Sequence, residues 1–194
     1  CDLWRGFLVW RTRFRSEWVA VSSKQTLKSP KHHAKVWRLK GADMSGYSWG
    51  QLEAAAPEIA EFGRLRLDGK VAYLATVRSD QRPRLHPVTP IIGLGHCFVF
   101  VEPSTPKAQD LLSSGWFSLH CAMNDSSGSS GEFILNGGVK LVADPEHRTL
   151  AESISSYRPA ARTVLFELEI DDAHAIDYRF GRAHRVKWPA NPEG

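Results

Sequence analysis

Cysteine is scarce in these 194 residues: three occur, at positions 1, 97 and 121, with no C-x-x-C spacing among them. An odd, widely separated set argues against a disulfide framework and against a structural zinc knuckle. It fits buried thiols in a reducing compartment, so a cytoplasmic location is expected. Long apolar runs are also missing, and none can cross a bilayer. No membrane partner is therefore expected. No G-x-G-x-x-G follows a first strand and no regular βαβ alternation occurs, which argues against a doubly wound dinucleotide-binding sheet. His86, His96, Cys97, His120 and Cys121 sit on separate predicted strands without ligand spacing, and no metal site is expected. No serine is accompanied by a recognisable His–carboxylate pair, so no hydrolytic set is expected either.

The formal net charge of +4 is unevenly spread. Residues 1–43 hold ten Lys and Arg against three Asp and Glu; residues 44–194 hold fifteen against eighteen. The basic character belongs to the first fifth of the chain, and the remainder offers no nucleic-acid surface. That leading segment carries Trp4, Trp10, Trp18 and Trp37 without a sustained helical or strand period. Three readings compete for it. Met44 is the natural start and the upstream residues come from an over-extended reading frame; the segment is an Arg-rich targeting peptide; or it is a basic arm. The first is preferred, and all three predict poor order over residues 1–43.

Clean patterning begins after Met44. Ser48 and Gln51 form an S-x-x-Q capping box ahead of Trp49, Leu52, Ala56, Ile59 and Phe62, which recur at helical spacing. Pro57 starts a second short helix, and Gly63 and Gly69 end the helical part. Strands are predicted over 71–77, 84–92, 96–101, 116–121, 132–142 and 164–170, with a last strand or hairpin arm over 173–188. Pro87 and Pro90 make the second of these an edge or irregular strand. Helices are predicted over 105–112 and from Pro145, capped by Asp144. Short antiparallel strands with small inserted helices predict a mainly β (α+β) fold: a six-stranded antiparallel split β-barrel over residues 44–194.

Two places can carry chemistry. In Phe98-Val99-Phe100-Val101-Glu102-Pro103-Ser104-Thr105-Pro106-Lys107 a strand runs into a helix with Thr105 as N-cap and Pro106 at N1. A helix start exposes unpaired N–H groups and partial positive charge, which suits phosphate. Hydroxyls of Ser104 and Thr105 and the charge of Lys107 add to it. In Arg82-Pro83-Arg84-Leu85-His86-Pro87-Val88-Thr89, alternation sends Arg82, Arg84, His86 and Val88 to one face and Leu85, Pro87 and Thr89 to the other. Arginine suits bidentate phosphate binding. Each stretch also has a plain structural reading, as a common helix cap and as a charged, solvated edge strand.

The ordered set "AYLATVRSDQRPRLHPVTPI", "FVFVEPSTPKAQDL", "WFSLHC" and "GEFILNGGVKLVADPEHR" resembles the pyridoxamine 5′-phosphate oxidase-like family of FMN-binding split barrels, over about Leu65 to Ala190. The resemblance implies a homodimer with flavin at the subunit interface, acting as an FMN-dependent oxidoreductase on a small molecule. It implies that the strand from Arg84 through His86 and Val88 to Thr89 runs along the flavin. Arg84 matches a phosphate-binding arginine, and Thr105 and Lys107 match the serine and lysine of the phosphate loop. Phe100 and Val101 match positions beside the ring or ribityl chain, and Glu132 a glutamine that reaches the flavin from the next strand. Thr89 and Pro106 replace a lysine and an arginine of the oxidase, so the chain is not read as that oxidase. Relatives also use a deazaflavin or bind haem, which keeps a deazaflavin reductase and a non-catalytic flavin or haem binder as alternatives.

Overall fold

The computed structural model describes residues 46–123, 126–128, 130–179 and 181–189. The leader of residues 1–43 and Met44 lie outside the described residues.

The chain enters through two short helices, α1 (Trp49–Ala55) and α2 (Pro57–Leu67). Ser48 Oγ accepts from Gln51 N at 3.2 Å while Ser48 N donates to Gln51 Oε1 at 2.7 Å, the reciprocal box that the spacing predicts. Pro57 takes the first position of α2, where a missing N–H leaves nothing unpaired. One boundary differs from expectation. Gly63 does not end the helix; α2 continues to Leu67. A Cβ on Gly63 would overlap the ring of Phe133. The glycine is there for close packing, and that contact outweighs its weak helix propensity.

The remaining elements are β1 (Ala72–Val77), β2 (Pro83–Val88), β3 (Ile91–Gly93), β4 (His96–Val101), α3 (Pro106–Ser114), β5 (Trp116–Cys121), β6 (Glu132–Val142), α4 (Pro145–Ile154), β7 (Val164–Arg179) and β8 (Arg182–Trp188). They form one antiparallel sheet in the order β2-β1-β5-β6-β7-β4-β3, with β8 pairing β7. The six-stranded expectation is corrected to eight strands in a sheet whose ladder does not close. Two causes account for the difference. The segment read as one strand over 84–92 breaks at Thr89-Pro90, giving β2 and β3; a proline cannot donate to a ladder. At the other end β7 runs unbroken through Asp171-Asp172 for 16 residues and turns back at Gly181, φ +73°, into β8.

Length makes β7 the spine. Residues 164–167 pair with β4, residues 173–179 pair with β8, and β6 follows it along nearly the whole edge. The predicted loosening at Gly137-Gly138 is a register shift between Asn136 and Gly137. There a Cβ on Gly137 would overlap the Glu169 carbonyl oxygen.

Alternation along the strands builds the core. Leu74, Val99, Leu119, Phe133, Leu135, Phe166, Leu168 and Ile170 are buried on one side, together with Trp49 and Leu52 from α1. Each such side chain contributes roughly 1.5–3 kcal/mol relative to exposure. A smaller cluster of Ile91, Phe98, Leu165 and Ala151 seats α4. Among the described residues no helix is long and apolar enough to cross a membrane.

Candidate functional site

β2 lies at one end of the strand order, and its burial alternates as the sequence predicts. Arg84 and His86 are half-buried and Val88 is buried, while Leu85 and Pro87 face outward. Register sets Arg84 opposite Thr76 and His86 opposite Leu74. Helix α3 crosses this end of the sheet and brings Lys107 and Asp110 to the same face. Arg84 Nε lies 3.2 Å from Asp110 Oδ2, and Thr76 Oγ1 donates to that oxygen at 2.8 Å. Lys107 Nζ donates to the Pro87 carbonyl at 3.1 Å. His86 completes the group. Its Nε2 is buried and has no hydrogen-bond partner among the described residues.

The electrostatics follow from that crowding. Burial pushes the His86 imidazole below its ordinary value, and the charges of Lys107 and Arg84 push it further the same way. Burial also lowers Lys107. Two cations against one carboxylate leave an excess of positive charge around a neutral imidazole. The arrangement suits an anion carrying several acceptor oxygens.

At the helix start several polar groups are already engaged within the chain. Thr105 is the N-cap, yet its hydroxyl donates to the Glu102 carbonyl at 2.7 Å instead of pointing outward. Pro106 has no N–H, and Ala108 N is taken up by the Thr105 carbonyl at 3.1 Å. Ser104 is exposed beside it. Positive charge at this end of the sheet thus comes from the Arg84 and Lys107 side chains, with His86 between them in chain order.

The other predicted site residues fall elsewhere. Thr89 follows β2, and its carbonyl accepts from Tyr157 Oη at 3.4 Å. Tyr157 and Arg158 line an adjoining cavity of about 800 Å³. Val101 is buried in the main core, and half-buried Phe100 lies under the Arg148 guanidinium, 5.1 Å from its ring centre. Glu132 stands on β6, separated from β2 by β1 and β5. Its carboxylate accepts from Tyr178 Oη and lies 3.5 Å from His120 Nε2. Within one copy of the chain, Glu132 does not join the Arg84 group. Asp110 and Tyr157 escaped the sequence reading. Asp110 carried a signal: three positions after Lys107 it stands on the same face of α3 as that residue, and buried there a carboxylate needs a partner. Tyr157 carried none. Among the described residues no group of three or more His, Cys, Asp or Glu is placed to hold a metal ion.

No protein-family model and no curated protein matches the chain. Solved structures do. A haem binding protein from Mycobacterium smegmatis matches with TM-score 0.54 and 18% identity over 67% of this chain and 58% of that one. This chain thus spans little more than half the length of that protein. A nimC/nimA family protein from Clostridium acetobutylicum matches with TM-score 0.51 and 13% identity, over 68% of this chain and 92% of that one. PhzG from Burkholderia lata 383, in complex with tetrahydrophenazine-1-carboxylic acid, matches with TM-score 0.50 and 14% identity, over 73% and 87%. At such identities the likeness is one of fold. The class is that of α+β split-barrel-like proteins, here an open antiparallel sheet with four helices among the described residues.

Proposed function

We propose that the chain is an FMN-dependent oxidoreductase acting on a small molecule, with the flavin phosphate held by Arg84, His86 and Lys107. The observation that carries this reading is the buried, unpartnered Nε2 of His86 between two cations. A buried polar atom without a partner costs about 1–3 kcal/mol, and a phosphate oxygen beside it removes that cost. Asp110 turns the Arg84 guanidinium, Lys107 is anchored on the Pro87 carbonyl, and Val88 offers an apolar wall further along the strand. When bound, the flavin supplies the two-electron redox chemistry. The protein's part is to orient the cofactor, keep water from one side of it and admit a substrate. The cavity at Tyr157 and Arg158, next to Thr89, is the substrate entrance in this reading.

A homodimer belongs to the same proposal. Tyr73 and Leu85 are 42% and 63% exposed on neighbouring strands of the outward face, an apolar surface suited to a second copy. That copy would bring its own Glu132 to the flavin, which this copy's Glu132 does not approach. The buried thiols of Cys97 and Cys121 fit a cytoplasmic location.

The visible absorption spectrum of the purified protein, before and after added FMN, tests the reading. A flavin spectrum that is lost in Arg84→Gln is expected. A colourless protein that fails to bind FMN overturns it. A second reading, a haem binder without turnover, is supported by the likeness of fold to the haem binding protein from Mycobacterium smegmatis, and a Soret band would select it. A deazaflavin would declare itself by cofactor fluorescence in the same titration.

A further inference from the structure

A second cavity, of about 510 Å³, opens where the end of α2, the start of β1 and the β5–β6 connection meet. We propose that it binds a small organic anion, with a carboxylate or phosphate head and an apolar body. Arg66, Lys70 and Ser130 line it from one side, and Leu65, Val71 and Ala122 from the other.

Arg66 is held firmly. Its Nε donates to the Ser130 carbonyl at 2.8 Å, Nη2 donates to the same oxygen, and Nη1 donates to the Phe62 carbonyl at 2.9 Å. The guanidinium carbon also sits 3.3 Å from the centre of the Phe62 ring. Gly131, at φ +72°, makes room for it: a Cβ there would lie 2.9 Å from Arg66 Nη2. A guanidinium has five N–H groups. Those bonds fix the fork and occupy only part of it. Lys70 is tethered in the same way, with Nζ donating to the Leu65 carbonyl at 2.5 Å and further N–H groups to offer. Both cations are thus positioned by main-chain carbonyls, which order a charge without neutralising it, and the Asp177 carboxylate acts on Arg66 from further off.

Ser130 supplies the independent observation. Its Oγ is buried and lacks a hydrogen-bond partner among the described residues. A buried hydroxyl without a partner is uncommon in a folded protein. Ser130 holds Arg66 through its carbonyl and lines the same cavity as Lys70, and an anion's oxygen there would satisfy the hydroxyl. The apolar half of the lining sets the rest of the ligand. Leu65 and Val71 are 54% and 51% exposed around the cavity, and covering them favours a ring or short aliphatic body over a bare inorganic ion. The volume falls within the usual range for small-molecule sites, roughly 300–1,000 Å³.

This place is separate from the Arg84 group. Arg84 pairs with Thr76, whereas Val71 precedes the first residue of β1. Five residues of strand put the two about 17 Å apart. The inference does not depend on the flavin reading.

Benzoate is the probe, titrated into the ¹⁵N-labelled full chain at constant ionic strength and followed by amide shifts. Saturable movement of the Lys70, Val71 and Ser130 amides is expected, with those of Arg84 and His86 unmoved. Lys70→Gln, an exposed change that spares the fold, should weaken benzoate about fivefold. Ser130→Ala should weaken it as well, and benzyl alcohol, which has the ring without the charge, should leave the amides still. Added FMN should not displace the probe. The proposal is overturned if the shifts do not saturate, if they centre on Arg84 and His86, or if Lys70→Gln binds benzoate as tightly as the wild type.

Discussion

Arg84 Nε lies 3.2 Å from Asp110 Oδ2, and the same carboxylate oxygen accepts from Thr76 Oγ1. Edge strand and helix are thereby locked together through Asp110, whose side chain is 9% exposed. The contact does two jobs: it stabilises the α3 packing, and it turns the guanidinium of the proposed phosphate site.

The two jobs separate by substitution. Arg84→Gln leaves Asp110 buried with a neutral partner and is expected to lower unfolding free energy by roughly 1.5–3 kcal/mol. Arg84→Gln with Asp110→Asn removes both charges and should recover most of that loss in urea denaturation. FMN affinity should stay at least about tenfold down in both variants, because the phosphate has lost its bidentate donor either way. Recovery of affinity in the double variant would mean that Arg84 serves the fold alone.

His86 gives a pH signature. Burial and two neighbouring cations hold its folded value below the ordinary 6.5. The folded imidazole therefore binds fewer protons than the unfolded one just below that pH. Unfolding takes up a proton there, so this part of the stability is present above about pH 6.5 and is lost as pH falls toward the folded value. An anion at Nε2 raises that value again. Binding should take up protons, and FMN affinity should rise as pH falls toward the value of the free site, which lies below 6.5. Calorimetry in two buffers of different ionisation enthalpy measures the uptake directly. A flat pH profile in the wild type, matching that of His86→Gln, would remove His86 from the site.

Much of this was legible in the sequence, and the reasons for the exceptions are physical. Capping at Ser48, Pro57 and Asp144 was readable because each depends on residues within a turn. The alternation that groups Arg84, His86 and Val88 was readable for the same local reason. Strand number was not. It turned on whether Thr89-Pro90 splits the second strand and whether Asp171-Asp172 ends a later one, and pairing across the sheet decides both. The role of Gly63 was hidden because Phe133 lies 70 positions further along the chain. The hydrogen bond from the Thr105 hydroxyl to the Glu102 carbonyl was not readable, because it depends on the turn that brings that carbonyl back to the helix start.

Thiol chemistry should be silent in the native domain. Burial pushes the Cys97 thiol far up and raises Cys121 as well. Only the thiolate is a nucleophile. Iodoacetamide at neutral pH is expected to leave the peptides containing Cys97 and Cys121 unmodified in the folded protein and to label both in urea. Native labelling of either, read by mass spectrometry, would show local opening of β4 or β5.

Gly63 allows a sharper test of packing. In an exposed helix interior, Gly→Ala gains up to about 1 kcal/mol. Here the new methyl would overlap the Phe133 ring. Phe133 is 0% exposed, with Trp49 and Phe62 at ring-centre distances of 6.4 and 6.3 Å, so the ring has nowhere to retreat. Gly63→Ala should therefore destabilise by about 1–3 kcal/mol despite its better helix propensity. Phe133→Leu opens a void at the same place and costs stability by itself. Combined, the methyl occupies part of that void, and the double variant should be more stable than the two single losses predict. Simple additivity in thermal or urea unfolding would show that the methyl is accommodated by a shift of α2 rather than by the ring. In that case the helix, with Arg66 near its end, is less rigidly seated on the sheet than its contacts with β6 imply.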